Sequence, residues 1–142
     1  MTPRVLVTLQ VLLSASLVLT ARPTFQHILG LSICLAGVAF GVWAIVTIGT
    51  DRVSVMPQVR EDAELKTRGP YRIVRHPMYT GLLLACLGLS LCPYAVWKIA
   101  VLISLAIVLA SKTTIEEQQL RARFPDYEAY AAKTKKFVPY IW

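Results

Sequence analysis

Arg68-Gly69-Pro70-Tyr71-Arg72-Ile73-Val74-Arg75-His76-Pro77-Met78-Tyr79-Thr80-Gly81 runs directly into Leu82-Leu83-Leu84-Ala85-Cys86-Leu87. Three arginines, two tyrosines and a histidine therefore stand at the mouth of an apolar helix. Near hydrocarbon such groups are costly without partners, and they mark functional sites by default. Pro77 fixes where the helix starts, because a residue without an N–H suits the first helical turn.

Outward from this junction the chain is apolar. Of 142 residues 56% are hydrophobic and only 16% charged, with a mean hydropathy of +0.56. Spanning a bilayer takes about 20 mostly apolar residues, and the runs at about 5–21, 28–48, 77–92 and 94–111 are candidates. The expectation is one all-α integral membrane domain, residues 1–142, with about four transmembrane helices. The first run is read as a retained helix rather than a cleaved signal, since Leu19-Thr20-Ala21 lacks small residues at both cleavage positions. Cys92-Pro93-Tyr94 makes the third and fourth runs an antiparallel hairpin. Beyond Ser111 the helical pattern turns polar, so the fourth helix should project from the membrane as far as Phe124-Pro125. A short amphipathic helix follows to about Lys135, with Tyr127, Tyr130 and Trp142 read as interfacial anchors. The 28-residue stretch 49–76 reads as an ordered loop with short helical or extended pieces.

Net charge is +7, but the cations are not interleaved with aromatics along a soluble surface, which excludes nucleic acid as a partner. Arg4, six loop residues (Arg52, Arg60, Lys66, Arg68, Arg72, Arg75) and six beyond Ser111 (Lys112, Arg121, Arg123, Lys133, Lys135, Lys136) fall on one side, leaving Arg22 and Lys98. The positive-inside rule makes the first side cytoplasmic, with Lys98 snorkelling to the far interface. Cys34, Cys86 and Cys92 have no metal-ligand or CxxC spacing and read as packing thiols; no metal is expected. Gly37 and Gly41 share a face of the second helix. Gly81, Ala85, Gly88 and Cys92 form a stripe on the third, which either lets helices approach closely or leaves a groove for a membrane-borne ligand.

At 1.5 Å per residue, the hairpin returns Glu116 and Glu117 to the same membrane face as His76, about a turn or two further out. With Tyr71, Arg72, Arg75 and Tyr79 they would enclose a polar pocket. Carboxylates accept from an ammonium or ribose hydroxyls, arginine binds carboxylate bidentately, and aromatic faces attract a sulfonium. No GxGxxG motif follows a strand and no P-loop is present, so a Rossmann-bound cofactor is excluded.

Gly69-Pro70-Tyr71-x-x-x-Arg75-His76-Pro77-x-Tyr79-x-Gly81, a hairpin, Glu116-Glu117-x-x-Leu120, then Phe124-Pro125-Asp126-Tyr127-x-x-Tyr130 and Phe137-Val138-Pro139 resemble the isoprenylcysteine carboxyl methyltransferase family over roughly residues 44–142. That family comprises membrane-embedded enzymes related to phospholipid and small-thiol methyltransferases. The resemblance implies S-adenosyl-L-methionine as cofactor, with the loop and C-terminal helix forming its site. Tyr71, His76, Pro77, Tyr79, Gly81, Glu116 and Glu117 would bind it, and Glu117 and Arg75 would serve catalysis. It implies a lipophilic small-molecule or lipidated acceptor, with membrane lipids as surrounding partners, and O-methylation of an isoprenylcysteine-like carboxylate as the favoured reaction. Lys133, Lys135 and Lys136 stand where relatives tend to carry arginine, and lysine is a point charge rather than a planar fork.

A phospholipid or small-thiol methyltransferase is the alternative within the same architecture, and two other classes fit less well. Sterol-reductase-like nicotinamide-binding proteins tend to read His-Pro-Asn-Tyr with an acid after the later glycine, where this chain has Met78 and Leu82. A non-catalytic membrane subunit is disfavoured by the intact His76, Tyr79 and Glu116-Glu117.

Overall fold

The computed structural model describes residues 2–50, 56 and 65–139. Residues 51–55 and 57–64 of the expected 49–76 loop and the aromatic end Tyr140-Ile141-Trp142 lie outside the described residues. The described residues form five α-helices: α1 (Pro3–Thr20), α2 (Ile28–Ile48), α3 (Pro77–Ser90), α4 (Val96–Arg123) and α5 (Tyr127–Lys133). Among the described residues there is no strand, only the isolated bridges Val74–Lys135 and Leu91–Tyr94.

Each boundary has a local cause. Pro3 and Pro77 occupy the first turns of α1 and α3, where a missing N–H removes nothing from the helical ladder. Arg22-Pro23 separates α1 from α2, and Leu91–Tyr94 turns α3 into α4. α4 runs unbroken through the change from apolar to polar sequence and stops at Phe124, before Pro125, as the sequence predicts. Among the described residues three segments are long and apolar enough to cross a membrane: Pro3–Thr20, Phe25–Ile48 and Val96–Arg123. α3 is shorter than expected. Its 14 residues span only ~21 Å at 1.5 Å per residue, because Leu91 and Cys92 belong to the turn.

α3 is central, packed on α2 along one side and on α4 and α1 along the other. The α2 contact is made by backbone. A Cβ built on Gly37 would lie 2.3 Å from the Ala85 nitrogen, and one on Gly88 would lie 2.4 Å from both the Cys34 nitrogen and the Gly30 oxygen. The small-residue stripe is thus a closed seam, which removes it as the groove for a membrane-borne ligand. On the other side, Leu17, Cys86, Leu105, Leu109 and Phe137 form a buried cluster.

Lys98 also departs from expectation. Rather than snorkelling outward it is 2% exposed, and its ammonium donates to the carbonyls of Thr20 (3.2 Å), Pro93 (3.0 Å) and Cys92 (3.5 Å). These carbonyls end α1 and line the turn, so one cation gathers acceptors from both; the Cys92 carbonyl also accepts from Arg22 N–H at 2.8 Å.

Candidate active site

Gly69 opens a 3-10 turn, Gly69–Arg72, at φ +60°, a left-handed conformation that side chains resist. The turn buries Pro70 and Tyr71 and leads into Val74, Arg75 and His76. This segment is strapped to the C-terminal tail. Arg75 N–H donates to the Lys135 carbonyl at 2.7 Å and His76 N–H to that of Lys136 at 3.1 Å, while the Thr80 hydroxyl donates to the Phe137 carbonyl at 2.9 Å.

His76 then faces both glutamates of α4. Its Nε2 is 3.1 Å from Glu117 Oε1 and its Nδ1 is 3.4 Å from Glu116 Oε2. The expected offset of a turn or two does not exist, and the histidine and carboxylates are in contact. Tyr79 Oη donates to Glu116 Oε1, and the Tyr79 ring lies nearly parallel to the imidazole, with centroids 5.9 Å apart. Arg75 Nε donates to Glu117 Oε1 at 2.9 Å, and its Nη1 donates to the carbonyls of Ala131 (2.9 Å) and Thr134. One guanidinium therefore fixes both a carboxylate and the end of α5. Lys136 Nζ lies 3.7 Å from Glu117 Oε2.

Burial opposes charge on His76, but the hydrogen bonds and attraction of Glu116 and Glu117 outweigh it, and its pKa is raised. An imidazolium can donate from both ring nitrogens, one to each glutamate. Tyr71 is buried and its hydroxyl has no hydrogen-bond partner among the described residues. Burial first, then the neighbouring Tyr130 and Glu116, push its pKa up, so it is held as a neutral donor.

Of the residues singled out in sequence, Tyr71, Arg75, His76, Tyr79, Glu116 and Glu117 come together around this point. Pro77 sits buried beneath them as the first residue of α3. Gly81 is elsewhere: its Cβ position is 2.7 Å from the Gly37 oxygen and the Gly41 nitrogen, inside the α2 seam. Arg72 is exposed and takes no part in the pocket. Glu117 is committed to α3's approach segment and the tail, while Arg121 pairs instead with Glu128 at 2.9 Å on the surface. Tyr127 and Tyr130 are not interfacial anchors. Tyr127 is 1% exposed, and Tyr130 Oη donates to the Tyr71 carbonyl at 2.6 Å.

Sequence reasoning missed Lys112 and Gln10. Lys112 is fully buried, with Nζ 2.5 Å from Gln10 Oε1 and 5.0 Å from the Tyr79 ring centroid. A signal existed: Lys112 is the first charge after the apolar run and lies four residues before Glu116, on the same helical face. Beside the site, α3 and α4 part to leave an apolar groove of about 310 Å³, lined by Leu83, Leu87, Leu102, Ala106, Thr80 and Phe137 among others. The Phe137 ring also lies 6.0 Å from His76, so this residue is shared by groove and polar cluster. Among the described residues no group of three or more His, Cys, Asp or Glu side chains is placed to hold a metal.

Comparison with known proteins gives the same stretch of chain. Residues 25–126 match the profile of the phospholipid methyltransferase family. A probable protein-S-isoprenylcysteine O-methyltransferase of Oryza sativa subsp. indica is 33% identical over 122 residues, 82% of this chain and 63% of that protein. A cobalt-zinc-cadmium resistance protein of Cupriavidus metallidurans is 31% identical over 97 residues, 68% of this chain and 45% of that protein. A nickel-cobalt-cadmium resistance protein of Alcaligenes xylosoxydans xylosoxydans is 30% identical over 97 residues, 67% of this chain and 45% of that protein. The chain thus spans about half to two-thirds of the length of the curated relatives it matches. With the family match covering the α2–α4 bundle, the 3-10 turn and both glutamates, this chain belongs to the phospholipid methyltransferase family.

Proposed function

We propose that the chain is an integral membrane methyltransferase that takes its methyl group from S-adenosylmethionine and delivers it to a lipophilic acceptor, with an isoprenylcysteine-like carboxylate as the favoured class. The observation that carries the reading is the convergence of Tyr71, His76, Tyr79, Glu116 and Glu117 beside an apolar groove. The residues suit the cofactor's chemistry. Glu117 Oε2 already has an ammonium 3.7 Å away, that of Lys136, beyond ordinary hydrogen-bond length. It therefore behaves as a cation subsite that a ligand's ammonium can take over. Tyr71 contributes a buried hydroxyl without a partner among the described residues, a group that needs an acceptor to offset its desolvation. Arg75 has a different part: with Nε on Glu117 and Nη1 on Ala131 and Thr134, it positions the glutamate and locks the tail over the site.

When bound, S-adenosylmethionine supplies an electrophilic methyl on a cationic sulfur. The chain's own tasks are then to align the acceptor and exclude water. The α3–α4 groove presents only apolar surface to an acyl or isoprenoid chain, and Phe137 connects it to His76. A carboxylate acceptor uses its own oxygen lone pair and loses no proton, so no general base is needed. An amine acceptor would need one, and Glu117 is the nearest candidate. We assign the site to the cytoplasmic face from the basic residues flanking it. A metal-handling reading, suggested by the names of two relatives, has no ligand cluster among the described residues.

The test is calorimetry with adenosylhomocysteine on protein in nanodiscs, followed by turnover with labelled cofactor. Glu117→Gln should weaken binding at least tenfold, ~1.4 kcal/mol. Product labelled on an isoprenylcysteine carboxylate should release methanol in base, whereas N- or S-methyl products would not. Undiminished affinity in a folded Glu117→Gln variant would remove the cofactor assignment, and a base-stable product would remove the carboxylate.

A further inference from the structure

α1 lies outside the stretch that matches the family, 25–126, yet it reaches the site. Gln10 is an amide in an otherwise apolar helix, and its Oε1 accepts from Lys112 Nζ at 2.5 Å. The Lys112 ammonium stands 5.0 Å from the centre of the Tyr79 ring. Tyr79 in turn donates to Glu116 and stacks on His76. Lys112 and Glu116 also attract one another, being a turn apart on α4.

Around His76, α4 brings Glu116 and Glu117, the approach segment Arg75, α3 Tyr79, and the tail Lys136, against Glu117. On the other side of Tyr79 stand Lys112, one turn before Glu116 on α4, and the neutral Gln10 of α1. Arg75 is bonded to Glu117 rather than Glu116. Among the described residues the cations near Glu116 are Lys112 and, when protonated, His76.

We propose that Lys112, anchored by Gln10 of α1, is a positioning residue of the site, supplying the counter-charge for Glu116 and supporting the face of the Tyr79 ring. His76 is then spared from being the sole cation that Glu116 can recruit. Its meaning for turnover rests on the methyl-transfer reading above, but its test does not use the cofactor. If Lys112 is neutralised, the imidazole must provide the missing charge and will hold its proton to higher pH.

The sequence contains two histidines, His27 and His76, so a ¹⁵N-histidine titration of the full chain in nanodiscs resolves the site, with His27 as internal reference. Lys112→Met should raise the His76 midpoint by about one pH unit, the scale of a close charge partner, and leave His27 in place. Lys112→Arg should keep it near the wild-type value. Lys112→Gln, which can still hydrogen-bond Gln10, should reproduce the rise if the methionine variant does not fold. An unchanged His76 midpoint in a folded neutral variant overturns the proposal, and so does an arginine variant that shifts as far as the neutral one. Absence of adenosylhomocysteine binding by the native chain, with the His76 shifts of the variants as expected, would count against the methyl-transfer reading alone.

Discussion

The two faces of α3 solve opposite problems with the same kind of apolar helix. Toward α2, glycines let backbone meet backbone, and no added Cβ fits at Gly30, Gly37, Gly81 or Gly88 without displacing a neighbour. Toward α4, the helix carries leucines, Thr80 and Tyr79, and the facing surfaces separate into a groove and a polar cluster. The difference teaches that rigidity and access are divided between faces. The glycine seam holds α3 in place through contacts that cannot adapt, which allows its other face to be left partly unfilled. In a membrane this division matters more than in water, because helix association there depends on van der Waals packing rather than on burial from water.

The largest effect should come from filling the seam. Gly88→Leu would drive a side chain into the Cys34 and Gly30 backbone, 2.4 Å away at Cβ. Overpacking costs about 1–3 kcal/mol where side chains can yield, and backbone cannot, so loss of monodisperse, folded protein is expected on size-exclusion chromatography. Gly41→Ala is the contrasting substitution. Its Cβ would find its nearest neighbour, the Gly81 Cα, at 3.9 Å, and the helix gains up to ~1 kcal/mol of propensity. An unchanged or raised unfolding midpoint should follow; a collapse like that of Gly88→Leu would show that the seam is not set by these distances.

Next comes the open face. Ala106→Phe places a ring in the α3–α4 groove. The KM for a long-chain acceptor should rise about tenfold, ~1.4 kcal/mol, with adenosylhomocysteine affinity unchanged. If acceptors with and without an apolar chain were affected alike, the groove would not be the acceptor's route.

The smallest effect is one of pH. His76 has a raised pKa in the folded chain, above the unfolded value of about 6.5. The stabilisation it gives is therefore complete below that value and is lost as pH rises through the folded value. Between pH 6 and pH 9 the thermal midpoint of the native chain should drop a few degrees more than that of His76→Gln. Parallel pH curves for the two proteins would mean that the Glu116–His76–Glu117 contacts contribute nothing to folding.

The helices were legible because their signals are local. Pro3, Pro77, Phe124-Pro125 and the apolar runs between them act through steric limits and solvent preference over a few residues, so their positions follow from composition and order alone. The meeting of His76 with the two glutamates was legible in outline for the same reason: a hairpin at Pro93 must return α4 to the face where α3 began. What sequence order could not supply was the rotation and tilt of each helix. These are set by how α3 seats in the α2 seam and by how Lys98 ties the far end. Those long-range contacts brought the carboxylates into direct reach of the imidazole and sent Gly81 away from the site into packing. They also buried Tyr127 and turned Tyr130, Lys98 and Lys112 inward, where each of these three found a neighbour from a distant part of the chain. Composition and residue order are enough to specify membrane-spanning helices with a basic, acid-bearing end. Which face of α3 is closed and which is open follows from the packing of distant helices, because it depends on side-chain-sized gaps between them that no local preference encodes.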